Sequence, residues 1–380
     1  MAVSTRSTIE KELTEAAAAP NRMTATEHHD SHDEHGPVAH GLFSPPTGVT
    51  GTDSRSGVTM IEAINQALAE EMERDPRVFL LGEDIGPRGG VFGATKGLIE
   101  RFGPERVLDT PIAESGFTGF GIGAALLGSV PVIEIQFADF IYSALEQIFS
   151  EMAKMHYRSN GDARLRMVVR APIGGGIHGG FYHSQSPENL FVVPGLKVAM
   201  PATPSDAKGM LKAAIRDPNP VIFFEHKRLY RSLREPMPED DVLVPLGMAR
   251  IARPGTTLSV ITYGATVHEA IKAAGSLMAD GIDAEVLDLR SLQPYDKPAI
   301  LASIAKTHRA LVVHEASKTN GFGAELAAFI ADEAFMELDA PVRRLAAPDS
   351  PAMPYNHLLE SAYLVDAAKI AAAMRELAAF

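Results

Sequence analysis

Asp109-Thr-Pro-Ile-Ala-Glu-Ser-Gly-Phe-Thr-Gly-Phe-Gly-Ile-Gly-Ala-Ala125 sets the reading of this chain. Val107-Leu108 before it ends a strand. Pro111 then stops the strand ladder by fixing φ and removing a backbone donor. Gly116, Gly119, Gly121 and Gly123 open a helix that another backbone or a flat ligand can approach closely. One carboxylate, Glu114, stands at the mouth of that helix among Ile112, Phe117 and Phe120, which offer it no hydrogen bond. Two readings follow. A carboxyl group in apolar surroundings has its pKa raised and serves as a proton partner. Alternatively, Glu114 is a first-turn carboxylate stabilised by the helix dipole.

Working outward, short apolar strands alternate with helices. Apolar residues recur at helical spacing over residues 59–74, and Val78-Phe-Leu-Leu-Gly82 is a short buried strand. The pattern continues with a helix at 95–102, strands at 107–108 and 130–135, and one long helix from Ile141 to Tyr157. Further strands are expected at 167–170, 196–200 and 221–225, with a helix at 204–216. The fold class is therefore α/β, a mostly parallel sheet with helices on both faces. Ligands in such sheets bind beyond the carboxyl ends of the strands, where Glu114 and the Gly174–Gly180 loop fall. A Pro-, Glu- and Asp-rich linker spans 231–247, and a second α/β unit follows to residue 380.

Residues 1–56 differ from the rest, being rich in Ala, Thr, Ser, Pro and Gly, and are expected to be a disordered tail. Its segment His28-His-Asp-Ser-His-Asp-Glu-His35 reads either as a transition-metal ligand set or as a solvated polar run. At 380 residues the chain is long enough for two domains plus that tail, and its net charge of −13 argues against a nucleic-acid partner. No apolar run is long enough to cross a bilayer, and no signal or transit pattern opens the chain. With no cysteine, disulfides, thiolate metal sites and a cysteine nucleophile are excluded, which fits a cytoplasmic location.

Gly174-Gly-Gly-Ile-His-Gly-Gly180 resembles a phosphate-cradling loop but lacks the Lys and Ser/Thr of a P-loop. A mobile loop closing over a site is the favoured alternative. In Tyr182-His-Ser-Gln-Ser-Pro-Glu188, His183 suits proton transfer near neutral pH, with a structural loop histidine as the other reading. Gln136 and Phe140 follow the strand Pro131–Ile135 and read either as an amide and a ring for a heterocycle or as strand-end core residues. Glu134, inside that strand, requires a buried partner.

Gly82-Glu-Asp-Ile-Gly86, Asp109-Thr-Pro-Ile-Ala-Glu114, Glu134-Ile-Gln-Phe-Ala-Asp-Phe140, Tyr182-His-Ser-Gln-Ser-Pro-Glu188, Pro194-Gly-Leu-Lys-Val198 and Phe224-Glu-His-Lys-Arg-Leu-Tyr230 occur in that order. In this the chain resembles the beta subunit of the thiamine-diphosphate-dependent component of 2-oxoacid dehydrogenases, from Val58 to the C-terminus. The resemblance implies a transketolase-like pyrimidine-binding domain over 57–230 and a transketolase C-terminal domain over 248–380. It implies that Glu114 bonds N1′ of the cofactor's aminopyrimidine and that Phe140 stacks on that ring, with Gln136 and Ile112 close by. His183 would assist transfer of the acyl group to lipoamide. A potassium ion bound through the backbone is implied at Met167, Ala214, Ile215, Asp217 and Asn219.

The family's diphosphate motif, Gly-Asp-Gly followed by Asn-Asn, is missing: Gly161-Asp162 continues with Ala163. The chain therefore carries half of a cofactor site. The expectation is an α2β2 heterotetramer in which an alpha subunit holds Mg²⁺ and the diphosphate, docked on a lipoyl acyltransferase core. The motifs look most like branched-chain members. Pyruvate and acetoin dehydrogenases are the alternatives, with a non-catalytic scaffold subunit behind them.

Overall fold

A computed structural model describes residues 57–238 and 240–380. The tail, including its histidine-rich segment, lies outside the described residues.

Thr59 starts the first helix, Met60–Arg74, through a capping box: the Thr59 N–H donates to Glu62 Oε2 at 2.8 Å, and the Glu62 N–H returns to Thr59 Oγ1. The helix buries Met60, Ile61, Ile64 and Leu68 and packs on the helix Pro204–Arg216. Its buried Glu71 is neutralised by Arg74 at 2.7 Å and Arg216 at 2.6 Å.

The first sheet runs, in spatial order, Ser291–Gln293, Lys197–Ala199, Val221–His226, Val168–Ile173, Val130–Glu134, Val78–Gly82, Val107–Asp109. All neighbours are parallel except the antiparallel edge strand Ser291–Gln293. That edge strand comes from the C-terminal half of the chain, so one β-pairing crosses between the halves. It is short and polar, and no periodicity marks it in the sequence. The second sheet, Arg343–Ala347, Ala310–Ser317, Leu258–Thr262, Ala284–Asp288, Arg250–Arg253, is parallel but for its last strand.

The long helix expected over Ile141–Tyr157 is broken. A 3₁₀ segment at Ala138–Ala144 gives way to a π-helix at Gln147–Met152 and a short α-helix at Met155–Arg158. The widening is visible where the Ala153 N–H donates to Ile148 O at 2.9 Å. Gly195 packs against this turn so closely that a Cβ there would lie 1.9 Å from Ala153 O. Tertiary packing thus reshapes a segment whose apolar spacing reads as one helix. The 231–247 segment is also not wholly free, because Arg234–Glu235 pairs antiparallel with Val58–Thr59.

Glu134 has the partner its burial demands. Arg170, on the neighbouring strand, bonds Glu134 at 2.7 Å and Glu225 at 2.7 and 2.9 Å. Tyr230 donates to the same Glu225 at 2.7 Å.

Candidate active site

The carboxyl ends of five adjacent parallel strands deliver the site, as the strand rule requires. Val78–Gly82 leads to Glu83 and Asp84, and Val107–Asp109 leads to Glu114. Val130–Glu134 leads to Gln136 and Phe140, Val168–Ile173 to the loop bearing His183, and Val221–His226 to Lys227.

Glu114 is the first residue of the helix Glu114–Leu126, whose N-cap, Ala113, supplies no side-chain bond. The helix lies tight on the sheet because Gly121 has no side chain: a Cβ there would come 2.7 Å from Ile133 Cδ1. The Glu114 carboxylate is half-buried and receives one long hydrogen bond, from Ser143 Oγ at 3.3 Å. The same hydroxyl reaches Phe140 O at 3.0 Å, which ties the acid to the aromatic residue. The apolar enclosure expected around Glu114 is incomplete in this chain. Phe117 is buried, but Ile112 is 84% exposed and Phe120 56% exposed. The site therefore opens outward past these two exposed apolar side chains.

His183 sits in an aromatic corner, edge-on to Phe137 at 4.6 Å and to Phe140 at 5.5 Å between ring centroids. Asp139 fixes the chain just after it by accepting from the N–H groups of Ser184 and Gln185, both at 3.2 Å. Gln136 is engaged with protein, its Nε2 donating to Asp84 Oδ2 at 3.1 Å. Thus Glu114, Phe140 and His183 fall in one neighbourhood, Gln136 flanks it, and Ile112 points away into solvent.

Two titratable residues join these that sequence reasoning assigned no role. Glu83 is buried beside Glu114 with Oε1 unpartnered. Burial, and then the charge of Glu114, raise its pKa to about 6. Its signal was the acid directly after the first strand, in Gly82-Glu-Asp-Ile-Gly86. Lys227 is buried under the Phe137 ring at 5.5 Å. Burial lowers its pKa to about 8, against the pull of Asp139 and Glu315.

The glycine loop directs two of its N–H groups at carboxylates. Its Gly175 N–H donates to Glu315 at 2.8 Å and its Gly176 N–H to Glu360 at 2.8 Å. An anion nest exists here, and two carboxylates of the C-terminal half fill it.

At the proposed potassium positions, Met167, Ala214 and Ile215 are buried at a helix–strand junction. The Met167 carbonyl accepts from the Val221 N–H at 3.0 Å, and that of Ala214 from the Asp217 N–H at 3.3 Å. Asp217 pairs with Lys197 and accepts from the Asn219 N–H at 2.9 Å. Among the described residues no cluster of three or more His, Cys, Asp or Glu forms a metal site. Nor is any helix long and apolar enough to cross a membrane.

Two family models match this chain: "Transketolase, pyrimidine binding domain" over residues 56–232 and "Transketolase, C-terminal domain" over 247–370. A solved "Split gene transketolase, inactive beta4 tetramer" shares the fold at a TM-score of 0.68 and 23% identity, over 85% of this chain and 99% of that one. Fold and site thus define a transketolase-type α/β subunit. The 2-oxoisovalerate dehydrogenase subunit beta of Bacillus subtilis (strain 168) is 55% identical over 86% of this chain and 100% of its own length. The pyruvate dehydrogenase E1 component subunit beta of the same organism is 50% identical over 77% and 90%. The mitochondrial 2-oxoisovalerate dehydrogenase subunit beta 2 of Arabidopsis thaliana is 46% identical over 82% and 87%. The chain belongs to the beta subunits of the thiamine-diphosphate-dependent 2-oxoacid dehydrogenases.

Proposed function

We propose that this chain, with an alpha subunit, decarboxylates a branched-chain 2-oxoacid and passes the acyl group to a lipoyl domain. The observation that carries the reading is the meeting of Glu114, Phe140 and His183 at the strand ends, beside the exposed Ile112 and Phe120 side chains. The branched-chain choice draws support from relatives named for 2-oxoisovalerate. Pyruvate is the second reading, because a pyruvate dehydrogenase relative is 50% identical.

The residues fit thiamine diphosphate. When bound, that cofactor supplies an acidic carbon and an electron sink. Glu114 keeps acceptor capacity to spare, with only one long donor upon it, so its carboxyl group would hold N1′ of the pyrimidine and share a proton there. Phe140 would hold the ring face, with Gln136 at its edge. His183, held edge-on between Phe137 and Phe140, would hold or give a proton during acyl transfer. The glycine loop's N–H groups are spent on Glu315 and Glu360, which supports leaving the diphosphate and Mg²⁺ to an alpha subunit in an α2β2 assembly on an acyltransferase core. A potassium ion would use second lone pairs of backbone oxygens among Met167, Ala214, Ile215, Asp217 and Asn219, since the Met167 and Ala214 carbonyls each already accept one N–H. We place the domain division at 57–230 and 248–380, about a 231–247 connection.

The test is co-expression with the alpha subunit and an assay with Mg²⁺, thiamine diphosphate and a lipoyl domain. Turnover is expected to be highest on 2-oxoisovalerate. Preference for pyruvate or acetoin overturns the substrate reading, and full activity of the chain without a partner overturns the half-site.

A further inference from the structure

Glu315 lies on the second sheet, in the strand Ala310–Ser317, and is buried. Its carboxylate reaches the loop that carries His183. Oε1 accepts from the Gly175 N–H at 2.8 Å and from Ser186 Oγ at 3.2 Å. Oε2 pairs with His226 Nε2 at 3.0 Å. Gly175 and Ser186 stand at opposite ends of that loop, and its base is closed where the Gly174 N–H donates to Gln185 O at 3.0 Å. One buried anion therefore spans both ends of the segment, and His226 anchors that anion to the first sheet.

The loop has no slack to absorb the loss of this contact. A Cβ on Gly174 would lie 2.2 Å from His226 Nε2, and one on Gly175 2.1 Å from Met353 Sδ. Glu360 holds the outer turn through the Gly176 N–H at 2.8 Å and His178 Nδ1 at 2.6 Å. Asp139 holds the far side through the Ser184 and Gln185 N–H groups. Removing Glu315 orphans a buried amide, a hydroxyl and an imidazole together, and unmade buried bonds are the expensive kind.

We propose that Glu315 is a positioning residue for His183: a carboxylate of the C-terminal half that fixes the loop and so holds the imidazole between Phe137 and Phe140. This rests on the reading of His183 as a residue of the acyl-transfer stage. The step at risk is transfer to the lipoyl group, since Glu114 and Phe140 follow other strands, in a helix start and a 3₁₀ segment.

The experiment uses the holoenzyme, this chain with its alpha subunit, Mg²⁺ and thiamine diphosphate, carrying Glu315→Gln or Glu315→Ala. Decarboxylation is followed with a dye electron acceptor and, separately, through acylation of a lipoyl domain. Amide hydrogen exchange is read over residues 174–186. Exchange in that segment is expected to rise in the order wild type, Glu315→Gln, Glu315→Ala. The lipoyl-stage rate falls in the same order, by about tenfold to a hundredfold for Ala, while the dye-coupled rate stays within about twofold. Glu315→Gln keeps the side-chain volume and one acceptor oxygen, so it carries the test if the Ala variant does not fold. Unchanged exchange over 174–186, or equal loss in both stages, overturns the proposal. His183→Ala separates the two readings: it is expected to lose the lipoyl stage with normal loop exchange. Full lipoyl-stage activity in His183→Ala overturns the role of His183, whereas normal exchange in the Glu315 variants overturns positioning by Glu315 alone.

Discussion

Arg170 and Glu134 face each other across neighbouring strands of the first sheet at 2.7 Å, both buried, with Glu225 completing the neutralisation from the other side. Burial pushes the Glu134 carboxyl up, Arg170 pulls it back, and Glu225 adds to the rise. Arg170→Met leaves two carboxylates buried without their cation. The expected loss is about 3–5 kcal/mol, seen as a lower urea midpoint with an unchanged slope. A loss under about 1 kcal/mol would mean that water reaches the pair.

Glu114→Gln is expected to abolish 2-oxoacid turnover in the reconstituted enzyme. Because the wild-type carboxylate is half-buried with one 3.3 Å contact, the unfolding midpoint should stay within about 0.5 kcal/mol of wild type. Retained full turnover removes Glu114 from the chemistry.

Glu83 gives a pH signature. Its folded pKa, about 6, lies above its ordinary value of 4.5. The folded state thus holds the proton more tightly than the unfolded chain. The stabilisation is fully present below pH 4.5 and is lost as pH rises through 6. Glu83→Gln removes this slope, so the variant gains stability relative to wild type between those two values. Parallel stability curves for the two proteins would contradict the assignment.

Ile112 stands just before the Glu114 helix and is 84% exposed. Ile112→Asp is expected to leave the fold of the chain unchanged but to weaken assembly with the alpha subunit at least tenfold, a loss of about 1.4 kcal/mol or more. Native mass spectrometry of the mixture reads this directly, and wild-type assembly would take Ile112 off the interface.

Gly195 has φ +94° and its Cβ position lies 1.9 Å from Ala153 O. Gly195→Ala brings both a left-handed backbone penalty and a backbone clash. A loss of about 2–4 kcal/mol is expected, with hydrogen exchange rising first around Gln147–Met152. An unchanged thermal midpoint would show that the π-helix relaxes without penalty.

The elements easiest to read were those whose residues face a single environment. Val78–Gly82, Val130–Glu134 and Val221–His226 are buried throughout and each opens as an apolar run between helices. The Met60–Arg74 helix showed its apolar stripe, while its Thr59–Glu62 capping box emerged only in the structure. Ser291–Gln293 escaped because its strand identity comes from the edge of another domain's sheet, to which Ser291, Leu292 and Gln293 carry no local pointer. The break in Ile141–Tyr157 escaped for a similar reason: the residue that presses on it, Gly195, is far along the chain.

That Glu114, Phe140 and His183 follow strand ends was legible, because acids, rings and histidines just after apolar strands are conspicuous in the sequence. Glu83 carried the same signal and went unassigned, since its raised pKa depends on burial and on Glu114 beside it. The partners of the Gly174–Gly180 loop were not legible, because its N–H groups cannot reveal what anion they hold. The Gly175 and Gly176 N–H groups meet two carboxylates placed 140 and 184 residues away.

By itself the amino-acid order determined the alternation of strands and helices, the parallel α/β class and the Glu114 turn. It also determined the missing diphosphate motif, because each of these is a property of neighbouring residues. Only the tertiary structure decided that Phe120 and Ile112 are left open, that Glu83 lies beside Glu114, and that Glu315 spans the loop of His183. Those facts depend on burial and on long-range pairing, and through-space distances of 3 Å are not encoded in any local spacing.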